Sequence, residues 1–432
     1  MNILILGSGG REHALAWKVR QSRQVEKVFV SPGNAGIGLE EKITQVKLNT
    51  DNHIEVINFA RANKIDLTIV GPENLLASGI VDSFQKEGLL IFGPTKEAAQ
   101  LESSKSFAKD IMKEFSIPTA RYAVFENANE AKVFVKNNPW NSKFVIKCDG
   151  LAGGKGVVVT DDNEEAIEAI NQLLTMDRLG INNKKIVLEE RLYGKEVSAF
   201  AICCGENFLY LGNACDYKNL KDGNLGPNTG GMGTYSPVTW LSQKQQNDIQ
   251  EKIISPLLKG LIQKKIHYTG VLFVGLMITN DGPKVIEFNC RFGDPETQVL
   301  LPLLDEDLAE LIFLAASNQL ENKILKIKNH PGAAVHVVMA SYGYPGTGGI
   351  KIRTGDIIKW DSGFYKNLEI EKKGKLFFAG VKEIDSQIVT AGGRVLGLTC
   401  LGKDRQEARE NVYQNYKKIH FDGAQLRRDI GL

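Results

Sequence analysis

Two oxygen-bearing side chains, Glu287 and Asn289, lie two residues apart in an otherwise largely apolar stretch. If the stretch is a strand, both point to the same face of a sheet, because side chains alternate along a strand. Arg291 follows, and then Asp294-Pro295, a pair typical of a helix start, with Asp294 as N-cap. Such oxygen donors suit a magnesium ion shared with the phosphates of a nucleotide. A polar edge strand facing water explains this stretch equally well when it is considered alone.

A glycine-rich turn between two lysines is the second candidate for chemistry. Lys147 ends an apolar stretch, and Lys155 precedes a β-branched one. A Walker A loop has four residues between its glycines and opens a helix. Here Gly150 and Gly154 enclose only three residues, and Gly156 follows the lysine. The pattern predicts a hairpin that closes its amides and Lys155 over phosphates; an ordinary glycine-rich hairpin does not explain the two lysines.

A glycine-rich loop near the start of the chain follows the first apolar stretch. A dinucleotide fingerprint would need glycine at position 12, where the chain has Glu12. A smaller phosphate could bind the amides of Gly9 and Gly10, with Arg11 as a further contact. A tight strand-to-helix turn without a ligand is an equal alternative.

Composition limits the classes of protein to consider. With 432 residues, the chain is too long for one ordinary core, so two to four domains are expected. A net charge of +2 gives no reason to expect nucleic acid or a membrane surface as partner. The six cysteines form no Cys-x-x-Cys pattern, which argues against a disulfide framework or a zinc site. Without a long apolar run or a basic leader, the protein is expected to be cytoplasmic.

The first hundred residues alternate apolar runs with amphipathic stretches, which predicts a parallel sheet with helical crossovers. Strands are expected at 2–6, 27–30, 66–70 and 89–92, and helices at 12–21, 54–63 and 76–87. Ligands of such sheets bind at the carboxyl ends of the strands. Loops 7–12, 31–36 and 71–74 are placed there.

The middle of the chain predicts one helix between Leu101 and Tyr122 and then a small α/β lobe. The lobe has predicted strands at 120–125, 144–148, 156–160 and 185–189, and helices at 128–136 and 164–174. Beyond it come a hairpin at 199–212, a loop at 216–233 without secondary structure that should face a substrate, and a hairpin formed by 270–279 and the strand of Glu287. The last hundred residues predict strands at 333–340, 376–384 and 394–400 and a helix at 406–419.

The order of these features resembles the ATP-grasp ligases. Lys147, the hairpin at 150–156, Glu189-Glu190 and Glu287-x-Asn289 carry that resemblance. Longer motifs resemble, more narrowly, the phosphoribosylamine–glycine ligases: they are Gly9-Gly10-Arg11-Glu12-His13-Ala14, Gly33-Asn34-Ala35-Gly36, Gly226-Pro227-Asn228-Thr229-Gly230-Gly231-Met232-Gly233, Arg291-Phe292-Gly293-Asp294-Pro295-Glu296-Thr297-Gln298, Gly343-Tyr344-Pro345-Gly346 and Gly392-Gly393-Arg394-Val395-Leu396.

This resemblance implies an α/β and α+β multidomain fold. A Rossmann-like parallel-sheet domain would span residues 1–102, and an ATP-grasp core would span 103–122 and 194–329. The small lid lobe would be 123–193, and a β-rich domain would be 330–432.

The implied activity is ATP-dependent ligation of glycine to 5-phosphoribosylamine through glycyl phosphate, the second step of de novo purine biosynthesis. Products would be glycinamide ribonucleotide, ADP and phosphate. Mg²⁺ or Mn²⁺ would be the cofactor and ATP the co-substrate. Partners would be these small molecules, with neither nucleic acid nor membrane, and the enzyme would be a monomer or weak dimer.

The resemblance also implies residue roles. Lys147, Arg291 and Asp294 would be catalytic, and Glu287 and Asn289 would bind the metal. ATP would be bound by Lys105, Lys147, Gly153, Gly154, Lys155, Glu189, Glu190, Leu192 and Glu196. Phosphoribosylamine and glycine would be bound by Gly9, Gly10, Asn34, Glu73, Asp216, Lys218, Arg291 and Asp294.

The sequence departs from the family pattern at several positions. Tyr217 and Asn219 replace a usual histidine and arginine, so Asn219 cannot supply a guanidinium contact. Cys148 and Ala391 replace a usual alanine and asparagine, away from the expected chemistry. Two alternatives remain: a carboxylase acting on aminoimidazole ribonucleotide with bicarbonate, and a nucleotide-binding protein without turnover.

Overall fold

The computed structural model describes residues 1–151, 156–174, 185–320 and 329–432. It begins with a five-stranded sheet in which every pair is parallel and the strand order is β3-β2-β1-β4-β5. Its strands are β1 Asn2–Gly7, β2 Lys27–Pro32, β3 Ile43–Gln45, β4 Leu67–Val70 and β5 Ile91–Phe92. The predicted parallel sheet is confirmed. Sequence analysis missed β3 because this edge strand is mostly exposed and lacks an apolar run.

Helices pack beside this sheet, as its crossovers require. They are α1 Gly10–Val19, α2 His53–Ala62, α3 Glu73–Ser78 and α4 Ile80–Lys86. The single helix predicted at 76–87 is wrong, because Gly79 has φ of 92° and separates α3 from α4. Glycine adopts that left-handed conformation without a side-chain clash.

The lid lobe is a four-stranded antiparallel sheet with two helices. After α5 Gln100–Ser103 and α6 Lys105–Glu114 come β6 Tyr122–Phe125, α7 Ala128–Asn137, β7 Phe144–Cys148, β8 Val157–Thr160, α8 Asn163–Leu174 and β9 Ile186–Glu190. Its predicted strands and helices are confirmed. The helix expected between Leu101 and Tyr122 is instead two helices, because Ser104 is extended and its side chain caps α6 by accepting a bond from the Phe107 N–H.

The remaining described elements form one large sheet, three two-stranded sheets and several helices. The strands are β10 Lys195–Cys204, β11 Asn207–Asp216, β12 Asn219–Lys221, β13 Leu225–Asn228, β14 Gly233–Ser236, β15 Thr269–Thr279, β16 Gly282–Asn289, β17 Ala333–Ala340, β18 Lys359–Trp360, β19 Gly374–Phe378, β20 Val381–Ile384, β21 Gln387–Thr390, β22 Arg394–Gly402 and β23 Ile419–His420. The helices are α9 Gln243–Ile249, α10 Ser255–Gln263, α11 Thr297–Leu303, α12 Leu308–Ala316, α13 Ser362–Ile370 and α14 Arg405–Asn415. The two-stranded sheets are β12-β13, β18-β23 and β20-β21.

The large sheet has eight strands in the order β16-β15-β10-β11-β14-β17-β22-β19. Strand β14 pairs with β17, so the sheet continues across the boundary predicted near residue 330. Strands β12 and β13 form a hairpin, and the prediction of a loop without secondary structure at 216–233 is therefore wrong. The strand predicted at 376–384 is two strands, β19 and β20.

The helix start predicted at Asp294 is also wrong. Helix α11 begins at Thr297, with Glu296 in the N-cap position. The Asp294 carboxylate instead accepts a bond from Gln298 Nε2 at 2.9 Å and lies 3.2 Å from Arg394 Nη2. A partner a hundred residues away overrides the local capping preference.

A buried ion network joins the amino-terminal sheet region to the carboxy-terminal region. Lys375 Nζ lies 2.5 Å from carboxylate oxygens of both Glu40 and Glu369, and Arg20 Nη2 lies 2.9 Å from Glu40 and 2.5 Å from Glu369. Burial alone would raise the pKa of Glu40, but His13 and Lys375 lower it to about 2. Its ionised form contributes stability above pH 4.5 that is lost as the pH falls toward 2.

No helix among the residues with described coordinates is both long and apolar enough to cross a membrane.

Lys375→Met should lower the free energy of unfolding by about 3 kcal/mol, because it removes a buried cation from two partly buried carboxylates, whose side chains are 10% and 24% exposed. Urea unfolding followed by tryptophan fluorescence measures the loss. Lys373→Met is the matched control, since Lys373 pairs with Glu371 at the exposed surface and should change stability by less than about 1 kcal/mol. Equal losses in the two variants would contradict a stabilising role for the network.

Candidate active site

Strand β16 presents Glu287 and Asn289 from the edge of the eight-stranded sheet. Strand β16 is thus an edge strand, as one of the two interpretations of the sequence expected. Its polar face does not meet open water, however, because Asn289 is only 8% exposed. On the neighbouring strand, Gly275 lies opposite Glu287. A Cβ at position 275 would lie 3.2 Å from Glu287 Cγ, so glycine there leaves room for the carboxylate side chain.

The surroundings of this pair are strongly cationic. Burial alone would raise the pKa of Glu287, but Lys218, Lys147 and Lys105 lower it below its ordinary value. In the described part of the chain, the Glu287 carboxylate has neither a hydrogen bond nor an ion pair, and the buried Nδ2 of Asn289 has no partner. The free Glu287 carboxylate suits a divalent cation, whereas Asn289 could offer only its Oδ1, which here accepts from Arg291 Nη2 at 3.3 Å. The lysines would repel a cation unless phosphates were also present.

Protein ligands alone do not complete a cation site here. Among the residues that the structure describes, no three histidine, cysteine, aspartate or glutamate side chains converge as metal ligands. A cation at Glu287 and Asn289 would therefore take its other oxygens from phosphate and water, as Mg²⁺ commonly does.

A buried cluster of two lysines and one glutamate packs against strand β16. Lys147 Nζ donates to the Ile286 carbonyl, next to Glu287, at 2.9 Å. It also forms an ion pair with Glu189 Oε1 at 2.8 Å, although the angle does not suit a hydrogen bond. Lys109 Nζ lies 2.9 Å from Glu189 Oε2. The three charged side chains are at most 5% exposed, so the cluster holds Lys147 against the strand that carries Glu287.

Charge explains why the cluster persists in the interior. Burial lowers the pKa of Lys109 to about 8, although Glu189 opposes that shift. Burial would raise the pKa of Glu189, but Lys147 and Lys109 lower it. The carboxylate predicted to frame adenine is thus occupied by two ammonium groups. Lys109 was missed because its spacing fits an ordinary helix.

The other residues predicted to bind ATP have separate partners. Lys105 Nζ donates to the Gly150 carbonyl at 2.9 Å, at the start of the glycine-rich turn. Glu196 pairs with Lys218 at 2.7 Å, and both side chains are about half exposed. These contacts place Lys105 and Glu196 where a nucleotide between the lid and the large sheet could reach them.

Glu190 lies on the opposite side of its strand from Glu189. Its carboxylate pairs with Arg121 at 2.6 Å, while Leu192 is half-buried just beyond. Gly153, Gly154 and Lys155 lie outside the described residues.

Arg291 is held between acidic side chains of the amino-terminal region. Its Nε lies 3.1 Å from Glu73, and its Nη2 lies 2.9 Å from Glu102. Burial would lower the pKa of Arg291, but Glu102 and Glu73 raise it, so the guanidinium stays charged. Glu73 and Arg291, both predicted to bind phosphoribosylamine or glycine, are thus in contact, and Glu102 is a partner that the sequence motifs did not indicate.

The first glycine loop packs directly on the segment after β16. Glu12 Oε2 accepts the Gly9 N–H at 2.6 Å, so the Gly9 amide is already occupied. A Cβ at Gly10 would lie 2.7 Å from Gln298 Nε2, and one at Gly9 would lie 3.3 Å from Asp294 Oδ2. A side chain at Gly10 would displace the Gln298 amide, so glycine allows the two segments to pack closely.

The Asn34 side chain is fully used within the protein. Its Nδ2 donates to the carbonyls of Ser8 and Phe378, and its Oδ1 accepts from the N–H groups of Gly36 and Ile37. Because an amide has two N–H donors and one carbonyl oxygen, this set leaves its N–H groups without capacity for a substrate. Asn34 thus shapes the loop.

The carboxy-terminal region supplies Arg394. Besides its ion pair with Asp294, its Nη1 donates to the Asp294 carbonyl at 2.6 Å and to that of Gly230 at 2.5 Å. Burial would raise the pKa of Asp294, but Arg394 and Arg11 lower it. Arg394 belongs to a family-like motif, yet no sequence signal placed it beside residue 294.

Asp216 ends β11 close to the segment after β16, since a Cβ at Gly231 would lie 2.7 Å from Asp216 Oδ1 and 2.5 Å from Pro295 Cδ. Burial and the nearby Glu296 raise the pKa of Asp216 well above its ordinary value, and its buried Oδ1 has no partner in the described ranges.

Asn219, the residue after Lys218, donates its Nδ2 to the Gly226 carbonyl at 3.0 Å. The asparagine that replaces the usual arginine at position 219 therefore stabilises the β12-β13 hairpin.

Sequence-family models match almost the whole chain. They describe the N domain of phosphoribosylglycinamide synthetase over residues 1–102, its ATP-grasp (A) domain over 103–297 and its C domain over 334–432. The chain belongs to the phosphoribosylglycinamide synthetase family. This confirms the family and the fold predicted from the sequence motifs.

Relatives of this family are similar over their full length. Phosphoribosylamine–glycine ligase of Halalkalibacterium halodurans is 44% identical over 433 residues, covering 100% of this chain and 96% of the relative. The ligase of Caldanaerobacter subterraneus is 45% identical over 431 residues, covering 100% and 99%.

Solved structures show the same architecture. The crystal structure of phosphoribosylamine–glycine ligase from Thermotoga maritima has a TM-score of 0.84 and 34% identity, covering 99% of this chain and 100% of that one. A biotin carboxylase domain from Hydrogenobacter thermophilus, solved with MgADP, has a TM-score of 0.73 at 15% identity, covering 98% and 91%. The second similarity shows the shared fold alone.

Glu189→Gln should lower the free energy of unfolding by about 3 kcal/mol, because it leaves two buried ammonium groups without their carboxylate. Glu190→Gln is the matched control; its partner Arg121 is 54% exposed, so the loss should stay below about 1 kcal/mol. Adding Lys109→Met to Glu189→Gln should recover part of the loss, since one unpaired ammonium group is removed. Urea unfolding of the four proteins tests this, and a loss no larger than that of Glu190→Gln would refute the cluster's role.

Proposed function

We propose that this chain ligates glycine to 5-phosphoribosylamine with ATP, as the names of its full-length relatives state for those proteins. The carrying observation is that Lys147 is bonded to the carbonyl beside Glu287, while Arg291 lies at the end of the same strand. A phosphate-binding cation from the lid, a carboxylate suited to a metal ion and a guanidinium thus meet along one strand.

The reaction needs an activated carboxylate, because an amine does not displace oxide from a free carboxylate. The γ-phosphoryl group passes to a carboxylate oxygen of glycine, and the bond to ADP breaks. The amine nitrogen of phosphoribosylamine then attacks the carbonyl carbon, the bond to phosphate breaks, and the nitrogen loses a proton. The protein's main task is to position the reactants and to balance charge on the phosphoryl oxygens.

The cationic groups divide this task by position. Lys147 and Lys105 lie beside Glu287 and bind the ATP phosphates, while Glu189 acts by holding Lys147 rather than by meeting adenine. Arg291, held by two carboxylates, steadies the phosphoryl group in transfer. Glu196 and the backbone near Leu192 receive the nucleoside.

Glu287 and Asn289 would hold a divalent cation, Mg²⁺ or Mn²⁺, which would supply positive charge to offset the negative charge of the phosphates. The lysines that surround Glu287 make that binding depend on the nucleotide.

Asp294, Asp216 and Lys218 line the region where glycine and phosphoribosylamine would meet, with the Gly9-Gly10 loop and Glu73 closing it from the amino-terminal sheet. These roles are supported by the closeness of Glu73, Gly9 and Asp216 to residues of the 291–298 segment. The four-part domain division, a monomeric or weakly dimeric state and a cytoplasmic location stay predictions.

ADP formation should require both glycine and phosphoribosylamine. A coupled assay of ADP release, with each substrate omitted in turn, measures this. Bicarbonate with aminoimidazole ribonucleotide is the comparison pair for a carboxylase, and ATP binding without turnover is the result for a silent nucleotide-binding protein. Release with the comparison pair but not with glycine and phosphoribosylamine would reject the ligase.

Glu287→Ala and Asn289→Ala should each raise the Mg²⁺ concentration needed for half-maximal activity by about tenfold or more, with the fold retained, because each removes one oxygen ligand. Asp281→Ala, at the exposed turn before the same strand, is the control and should leave the requirement unchanged. A Mg²⁺ titration of activity that is identical in all three variants and the native enzyme places the metal elsewhere.

A further inference from the structure

Arg427, in the last segment of the carboxy-terminal region, is fully buried and is not among the site residues described above. Its Nε and Nη2 donate to the two carboxylate oxygens of Asp429 at 2.7 and 2.6 Å. This pairing uses only part of the guanidinium, which has five N–H donors in a fixed plane. The remaining donors reach residues of the 216–233 segment.

The contacts of Arg427 flank Lys218. Arg427 Nη1 donates to the Asn219 carbonyl at 3.0 Å, and the guanidinium carbon lies 4.9 Å from the centre of the Tyr217 ring. A third contact runs from Nη2 to Asn224 Oδ1 at 3.0 Å, at the turn between β12 and β13. One buried side chain thus touches the neighbours on both sides of Lys218 and the tip of its hairpin.

Backbone contacts reinforce this attachment. Asp429 Oδ2 accepts the Gly223 N–H at 2.8 Å, and the Arg428 N–H donates to Asp222 Oδ1 at 2.7 Å. The Gly431 N–H donates to the Tyr217 hydroxyl at 3.1 Å. The segment 427–431 and the hairpin therefore hold each other through side-chain and main-chain groups from both partners.

The far end of the 216–233 segment is held by different groups. Gly230 donates its N–H to the Tyr344 hydroxyl at 2.9 Å, and its carbonyl accepts from Arg394. A Cβ at Gly231 would lie 2.5 Å from Pro295 Cδ and 2.7 Å from Asp216 Oδ1. Arg394 thus holds the Gly230 end of the segment, next to Asp294. Arg427 holds the β12-β13 hairpin.

We propose that Arg427 is a positioning residue of the ligase reaction: it fixes the hairpin at 219–228 and thereby holds Lys218 and Asp216 in place for the acceptor substrates. The inference rests on the proposed function, since it assigns these two residues to glycine or phosphoribosylamine. Arg427 touches neither substrate. Its removal should therefore weaken binding of an acceptor substrate while ATP binding, organised around Lys147, stays unchanged.

The test compares Arg427→Met with Arg428→Met, a neighbouring arginine whose side chain is exposed. Arg427→Met should raise the KM for glycine or for phosphoribosylamine at least fivefold, with the KM for ATP within twofold of the native value. Hydrogen exchange should accelerate at least tenfold at the amides of Tyr217, Thr229 and Met232, which bond within this segment. Arg428→Met should change neither measurement.

A second variant protects the test against misfolding of Arg427→Met. Asp222→Ala removes the exposed acceptor of the Arg428 N–H and no buried charge, and it should shift the same KM about threefold. Unchanged exchange in both variants overturns the proposal, as does faster exchange with unchanged acceptor KM. If the native enzyme forms no ADP with glycine and phosphoribosylamine, the proposed function fails, and the exchange data still show separately whether Arg427 fixes the hairpin.

Discussion

Repulsion between like charges is the constraint on which this site depends. Binding a nucleoside triphosphate and a phosphosugar together requires several cationic side chains in one site. These cations repel one another strongly where water is largely excluded. The chain meets this by giving each principal cation a carboxylate: Glu189 for Lys147, Glu73 and Glu102 for Arg291, Asp294 for Arg394. These carboxylates keep the cations charged and fix their directions before any ligand arrives.

The same pairs join the parts of the fold. Arg291 lies at the end of the large sheet, yet its carboxylates come from the amino-terminal region and the helix after it. Arg394 extends from β22 to Asp294, and Lys147 reaches from the lid to the carbonyl of Ile286. A cation held by a distant segment couples the position of that segment to the chemistry. This arrangement suits a ligase whose two chemical steps need three substrates aligned in one cavity.

Glu287 differs from the other acids because no described cation forms an ion pair with it. Lys218, Lys147 and Lys105 lower the pKa of Glu287 through space, without forming an ion pair with it. Such a carboxylate is available to a metal ion, whereas Glu189, enclosed by two ammonium groups, is not. The contrast separates two glutamates that the sequence motifs treated alike as ligand-binding residues, and it follows from their burial and partners.

The sequence by itself determined the family, the parallel amino-terminal sheet, the strands and helices of the lid lobe and the strand that carries Glu287 and Asn289, because apolar periodicity and motif spacing are local properties. It also named Lys147, Arg291 and Glu73 as candidate site residues, and in the structure Glu73 contacts Arg291. Only the tertiary structure decided that Asp294 pairs with Arg394 instead of capping a helix, that Glu189 joins Lys147 to Lys109, and that Arg427 holds the hairpin beside Lys218. Each of these depends on a partner distant in the chain, and no local pattern specifies which distant charges meet.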